Sequence, residues 1–128
     1  MREQAKRNWP ADRAQVAAAV ETPALVIDEG VVLDSLEVAL RLRSQGGFRL
    51  LYALKPLACA FVLELMKPHV DGFAASSLFE ARLARSVIND SGTVHITTPG
   101  FRPNEIGSLD NLCDYVTFNS LEQYDRFG

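Results

Sequence analysis

Long apolar runs are missing from this chain. No stretch approaches the roughly 20 consecutive apolar residues of a membrane-spanning helix, so no membrane partner is expected. Cysteine is scarce: Cys59 and Cys113 lie far apart and form no CxxC pair. Both read as reduced core residues rather than a disulfide or redox pair. There are two histidines, His69 and His95. Neither has ligand spacing with the other or with a cysteine, so no metal site is expected. Excess positive charge is absent too. Thirteen Lys and Arg stand against sixteen Asp and Glu, for a net charge of −3. No basic stripe is visible, which argues against nucleic acid as a partner. Arg41 with Arg43, and Arg82 with Arg85, read as solvated helix faces. No Gly-rich dinucleotide or P-loop fingerprint follows any strand-like run. The charged start, Met1 to Arg7, is followed by no apolar segment, so it does not read as a secretory signal, and the expected location is the cytoplasm.

What is present is a globular composition: 128 residues, 48% hydrophobic, with room for one domain and a modest core. Residues 1–21 read as a polar, then alanine-rich, N-terminal extension, with Asp12 placed to cap a short helix through Val20. The fold proper is expected over 22–128. Ala24–Asp28 is a short run rich in branched residues, hence a predicted buried strand. Val31, Leu33, Leu36, Leu40 and Leu42 then recur at helical spacing up to Gly46-Gly47. A second strand begins at Arg49, and a helix runs from Leu57 to Met66. The third strand is Gly72–Ser76, with a helix from Ser77 to Ile88. Ser77 and Glu80 have the spacing of a capping box. The fourth strand is Val94–Thr98, followed by a helix over Pro103–Leu112. The fifth is Tyr115–Asn119, and a last helix starts near Ser120.

Strand starts near 24, 49, 72, 94 and 115 give a period of about 22 residues, each unit a strand then a helix. Strands joined by helices are parallel with right-handed crossovers. A doubly wound sheet and a (β/α)8 barrel both satisfy this. The missing nucleotide fingerprints favour the barrel, which needs roughly 250 residues. The predicted fold class is therefore α/β: about five βα units, the N-terminal half of a TIM-type barrel, taken as a fragment of a longer protein.

The run Leu50-Leu51-Tyr52-Ala53-Leu54-Lys55-Pro56 carries the chemistry. Side chains alternate along a strand. Leu50, Tyr52 and Leu54 point one way; Leu51, Ala53 and Lys55 point the other. Lys55 thus falls at the carboxyl end of a strand, where barrels and open sheets keep their sites. One reading is a strand-end lysine reaching into solvent. The other is a Schiff-base lysine, whose amine a desolvated pocket would keep deprotonated.

Tyr52-Ala53-Leu54-Lys55 resembles the lysine motif of the fold type III pyridoxal-phosphate enzymes, the group of alanine racemase and the ornithine and diaminopimelate decarboxylases. Three more stretches agree in order: Thr22–Asp28, Asp71–Leu83 and Phe118–Leu121. The pattern Ala75-Ser76-Ser77-Leu78-x-Glu80-Ala81-Arg82-Leu83 is similar to the carboxynorspermidine decarboxylases within that group.

The resemblance implies a PLP-binding barrel and a carboxy-lyase of polyamine biosynthesis. Its substrate would be carboxynorspermidine or carboxyspermidine, giving norspermidine or spermidine and CO2. The cofactor would be pyridoxal 5'-phosphate. Lys55 would be catalytic and carry the cofactor, and Ser76 could approach it, although the reading of Ser76 favoured by its position is the ordinary start of a helix cap. The resemblance also implies a small-molecule polyamine carboxylate as partner, a homodimer for the whole enzyme, and a C-terminal β domain outside this chain. The phosphate grip, the ring-nitrogen acid and the ring-stacking histidine would lie beyond Gly128. His95 does not match that histidine, Ala74 stands where ornithine decarboxylases carry an aspartate, and neither cysteine matches the group's catalytic cysteine. Arg102, Asn119 and Ser120 share the expected rim without an assigned role. The alternatives are a non-catalytic PLP-binding barrel protein, another decarboxylase of the group, or a racemase.

Overall fold

A computed structural model describes residues 13–128, so the predicted Asp12 cap lies outside the described residues. The element order is α1 (Arg13–Ala19), α2 (Glu29–Gly46), β1 (Leu51–Ala53), α3 (Ala60–Met66), β2 (Gly72–Ala75), α4 (Leu78–Ile88), β3 (Thr93–Thr97), α5 (Ile106–Leu112), β4 (Tyr115–Thr117) and α6 (Leu121–Phe127). The strands form one parallel sheet in the order β1-β2-β3-β4. Each crossover contains a helix, as parallel strands require.

One predicted strand is absent. Ala24–Asp28 is irregular, and Leu25 is 76% exposed. A strand needs a neighbour for its backbone groups, and β1 pairs only with β2 among the described residues. The end of the run is committed elsewhere: the Asp28 side chain accepts the Val31 amide at 3.1 Å and caps α2. Capping satisfies an orphan helix donor, and it fixes where the extended segment must stop. The sheet therefore has four strands instead of five.

α2 ends as its glycines require. Gly47 closes the helix at φ 64°, and its amide donates to Arg43 O at 2.9 Å. Of the five apolar residues that predict this helix, Leu36 and Leu40 meet the core, whereas Val31, Leu33 and Leu42 are exposed. In α4 Ala81, Ala84, Val87 and Ile88 are all buried, whereas Phe79 is exposed. That helix packs on β2 and β3 and touches α3 and α5. Small Ala81 and Ala84 let it approach the sheet closely.

Period-two alternation sorts each strand into two faces. The helix-covered face carries Leu54, Phe73, Ala75, Val94 and Ile96, all buried, with Leu50, Tyr52, Val116 and Phe118 packed against them. Burying each large side chain contributes roughly 1.5–3 kcal/mol. The opposite face carries Ala53, Ala74, His95 and Tyr115 in one register row. Ala53, Thr97, Tyr115 and Thr117 on that face are exposed. At its lower end Gly72 faces Thr93 so closely that a Cβ would lie 2.2 Å from the Thr93 carbonyl oxygen.

Two aspartates tie the lower strand ends together in the same way. The Asp71 amide donates to Leu50 O at 2.8 Å, and its carboxylate accepts the Leu50 amide at 2.7 Å. Arg43, from α2, pairs with the same carboxylate at 2.5 Å and donates to His69 O. Asp114 repeats this arrangement with Val94, Arg85 of α4 and Leu112 O.

Candidate active site at the carboxyl ends of the strands

Lys55 comes directly after β1, within a turn rather than in the strand itself. The ladder continues only as far as Leu54, whose amide donates to Ala74 O at 3.0 Å. Pro56 cannot donate to a ladder, so the chain turns there. Two bonds brace the turn. The Leu57 amide donates to Leu54 O at 3.0 Å, and the Tyr52 hydroxyl donates to Leu57 O at 3.1 Å. Burial, with a smaller contribution from Cys59, pushes the Tyr52 phenol above its ordinary value. It therefore remains a donor at neutral pH.

Leu54 beneath the turn is fully buried, and Lys55 is exposed. The desolvated surroundings of the Schiff-base reading are not formed by the described residues. Lys55 stands two residues past Ala53, beyond the end of the ladder.

Ser76 stands two residues past Ala74, the register partner of Ala53. Lys55 and Ser76 thus stand at the same end of adjacent strands, beyond the paired residues. Ser76 is half-buried, and its partners are on α4. Its amide donates to Glu80 Oε2 at 2.6 Å, and its hydroxyl donates to the same oxygen at 2.9 Å. Ser77 Oγ in turn accepts the Glu80 amide at 3.2 Å. This is the predicted capping box with one change. The carboxylate reaches back to Ser76 rather than to the cap residue Ser77.

A cavity of about 300 Å³ opens beside Ser76, between the β2–α4 and β3–α5 connections. Ser77, Thr98, Gly100, Arg102 and Glu105 help to line it; Lys55 does not. Arg102 is paired with Glu105 at 3.3 Å, and its side chain is 77% exposed. Asn119 and Gln123 fix the loop at the edge of this cavity. Both side-chain amides donate to Pro99 O, at 2.7 and 2.9 Å. Ser120 caps α6 by accepting the Gln123 amide. Asn119 and Ser120 are therefore structural here.

His95 sits one row below Lys55 on the open face. Its ring stacks on Tyr115, with centroids 4.4 Å apart. Thr93 Oγ1 lies 2.9 Å from Nε2 and donates its own proton to Asp71 O. Burial lowers the His95 pKa, Arg49 adds to this and Asp114 opposes it. Among the described residues no group of three or more His, Cys, Asp or Glu is placed to hold a metal ion. Nor is any helix there long and apolar enough to cross a membrane.

The carboxyl ends of β1 and β2 thus carry a primary amine, Lys55, and a hydroxyl, Ser76. That donor set suits condensation with an aldehyde. Sequence reasoning singled out Lys55 and Ser76. It missed the Glu80 contact to Ser76 and the Tyr52 brace, since neither partner choice is visible before the turn is formed.

The fold and rim define a parallel α/β array of partial-barrel type with an amine at the carboxyl end of its first strand. No family model matches the chain. Known proteins do. The chain is 34% identical over 109 residues to the carboxynorspermidine/carboxyspermidine decarboxylase of Herminiimonas arsenicoxydans, covering 85% of this chain and 29% of that protein. It is 30% identical over 110 residues to a carboxyaminopropylagmatine decarboxylase of Synechocystis, covering 86% of this chain and 28% of that protein. The crystal structure of the Campylobacter jejuni carboxynorspermidine decarboxylase complexed with norspermidine superposes with a TM-score of 0.77 at 28% identity, over 84% of this chain and 29% of that one. The chain is thus related to the carboxynorspermidine decarboxylases along most of its length, and it spans less than a third of theirs.

Proposed function

We propose that the intact protein containing this chain is a pyridoxal-phosphate-dependent decarboxylase acting on carboxynorspermidine or carboxyspermidine. The observation that carries this reading is the position of Lys55. It is an amine at the carboxyl end of β1, in a chain related to decarboxylases of that name.

The residues present suit the aldehyde end of the cofactor. Lys55 would hold it covalently, with Ala53 and Ala74 leaving room on the same face and Ser76 alongside. Arg102, the cationic side chain that lines the cavity beside Ser76, is paired with Glu105. When bound, the cofactor supplies an electron sink for the charge left as CO2 departs. The chain's own part is positional. The Tyr52 and Leu57 bonds fix the Lys55 turn, and the Glu80 carboxylate fixes Ser76. A rigid rim places the amine without reorganisation at the moment of reaction.

The test is direct. The intact protein, supplied with pyridoxal phosphate and carboxynorspermidine, should release CO2 and norspermidine. Lys55→Ala should abolish turnover together with the borohydride-trapped cofactor adduct. Cofactor trapped on a different lysine, or no release of CO2 from either carboxylated polyamine, would refute the assignment.

A further inference from the structure

The open face of the sheet is uneven. In the register row Ala53–Ala74–His95–Tyr115, β1 and β2 each carry a single methyl group, while β3 and β4 each carry a ring. The two rings are nearly parallel, at 13°, with centroids 4.4 Å apart. Rings that stack between neighbouring strands turn their faces across the strands. One face of the His95 imidazole is therefore covered by Tyr115. The other looks over Ala74 and, beyond it, Ala53.

The spacing suits one more ring. Neighbouring strands lie about 4.8 Å apart, and carbon atoms in contact lie about 3.5–4.0 Å apart. On this face each strand thus has room for one ring on edge, as His95 and Tyr115 show. Over Ala74 the side chain ends at Cβ, and Ala53 beside it is exposed. Two residues toward the amino end, Gly72 adds no side chain at all. Toward the carboxyl end the gap runs out to the rim. The imidazole wall is itself fixed: Tyr115 backs it, and Thr93 Oγ1 lies 2.9 Å from Nε2. Burial lowers its pKa; Asp114 opposes this and Arg49 adds to it. The ring is therefore uncharged at neutral pH, and its electron-rich face suits an electron-poor ring.

We propose that His95, backed by Tyr115, is one wall of a flat slot over Ala74 that takes the pyridine ring of the cofactor. The identity of the ring rests on the proposed function; the slot rests on the register row and the stacked pair. His95 offers a face here and no proton transfer.

The test uses the intact protein freed of cofactor and 4'-deoxypyridoxine 5'-phosphate, which keeps the ring and the phosphate but has no aldehyde to react with Lys55. Binding is measured by equilibrium titration, with inorganic phosphate as a second probe. His95→Ala should weaken binding of the analogue roughly three- to tenfold, the equivalent of one ring contact. His95→Phe keeps a flat face and should stay within about twofold of wild type. Ala74→Val leaves His95 in place but fills the slot, and should weaken the analogue about tenfold. Inorganic phosphate needs no ring wall and should bind every variant equally. The slot is overturned if Ala74→Val binds the analogue as wild type does, if His95→Phe is as weak as His95→Ala, or if phosphate binding falls in step with the analogue. A wild-type protein that does not bind the analogue overturns it as well. If the analogue behaves as expected but pyridoxal phosphate forms no adduct at Lys55, the slot stands and the functional reading fails.

Discussion

Asp114 holds Val94 by both ends of its backbone unit: the Asp114 amide donates to Val94 O at 2.8 Å, and the Asp114 carboxylate accepts the Val94 amide at 2.7 Å. Asp71 holds Leu50 in the same way. In each case an arginine from the helix that precedes the gripped strand closes the arrangement. The grip therefore recurs every second βα unit. It fixes the amino ends of the sheet, while the carboxyl ends carry Lys55 and Ser76. The aspartate grips and the candidate site thus occupy opposite rims, the arrangement usual for βα barrels.

That grip makes stability depend on acid. Burial opposes the charge on Asp114, but the Val94 amide and Arg85 outweigh it and hold the carboxyl below its ordinary value. A depressed folded-state value stabilises the fold above the unfolded carboxylate range, and the gain disappears as pH falls through the folded value. The window lies below about pH 4. The side chain is 40% exposed, so solvent screens part of the effect. In the intact protein, Asp114→Ala should lower the urea midpoint at pH 7 by an amount equivalent to ~1–2 kcal/mol. The gap from wild type should narrow when the same titration is run at pH 3.

Gly72 should tolerate no side chain. A Cβ there would meet Thr93 O at 2.2 Å and Thr93 Oγ1 at 2.6 Å. The first of these is backbone in a paired strand, which cannot swing aside. Gly72→Ala should cost about 2–3 kcal/mol. Unchanged stability in an equilibrium unfolding curve would show that β2 and β3 can separate without penalty.

The Tyr52 hydroxyl braces the turn that carries Lys55, while its ring packs edge-on against Phe73 at 6.4 Å. Tyr52→Phe removes the first contact and keeps the second. Stability should fall by about 1 kcal/mol. Amide hydrogen exchange should speed up at Leu57, whose amide closes the same turn, and stay constant within β2.

Cys113 should be unreactive near neutral pH. Burial pushes the Cys113 thiol up to about 11; Asp114 adds to this, and nearby Arg85 only partly offsets it. At pH 8 roughly one Cys113 in a thousand is then thiolate, the reactive form. Alkylation followed by peptide mass spectrometry should leave Cys113 unmodified at pH 8. Labelling of Cys113 should rise about tenfold per pH unit up to pH 10.

Much of the site was legible because its signals are local. Pro56 ends a ladder wherever it occurs, and Ser77 with Glu80 spells a helix start. Alternation alone puts Lys55 opposite Leu54. Ala24–Asp28 misled for a matching reason. Its composition is that of a strand, but pairing requires a second chain segment at its edge, and composition does not supply one. The Asp71 and Asp114 grips were missed although each aspartate immediately precedes a strand. An aspartate in that position reads as an ordinary turn residue until the neighbouring strand is placed beside it.

By itself the sequence determined the succession of strands and helices, the capping residues, and which side of each strand is apolar. Those follow from bond geometry and from spacing along the chain, which need no partner. Only the tertiary structure decided that Asp71 grips Leu50, that Asp114 grips Val94, and that the first apolar run stays unpaired. Each of these depends on whether a distant segment arrives at a particular register, and spacing along the chain carries no information about that arrival.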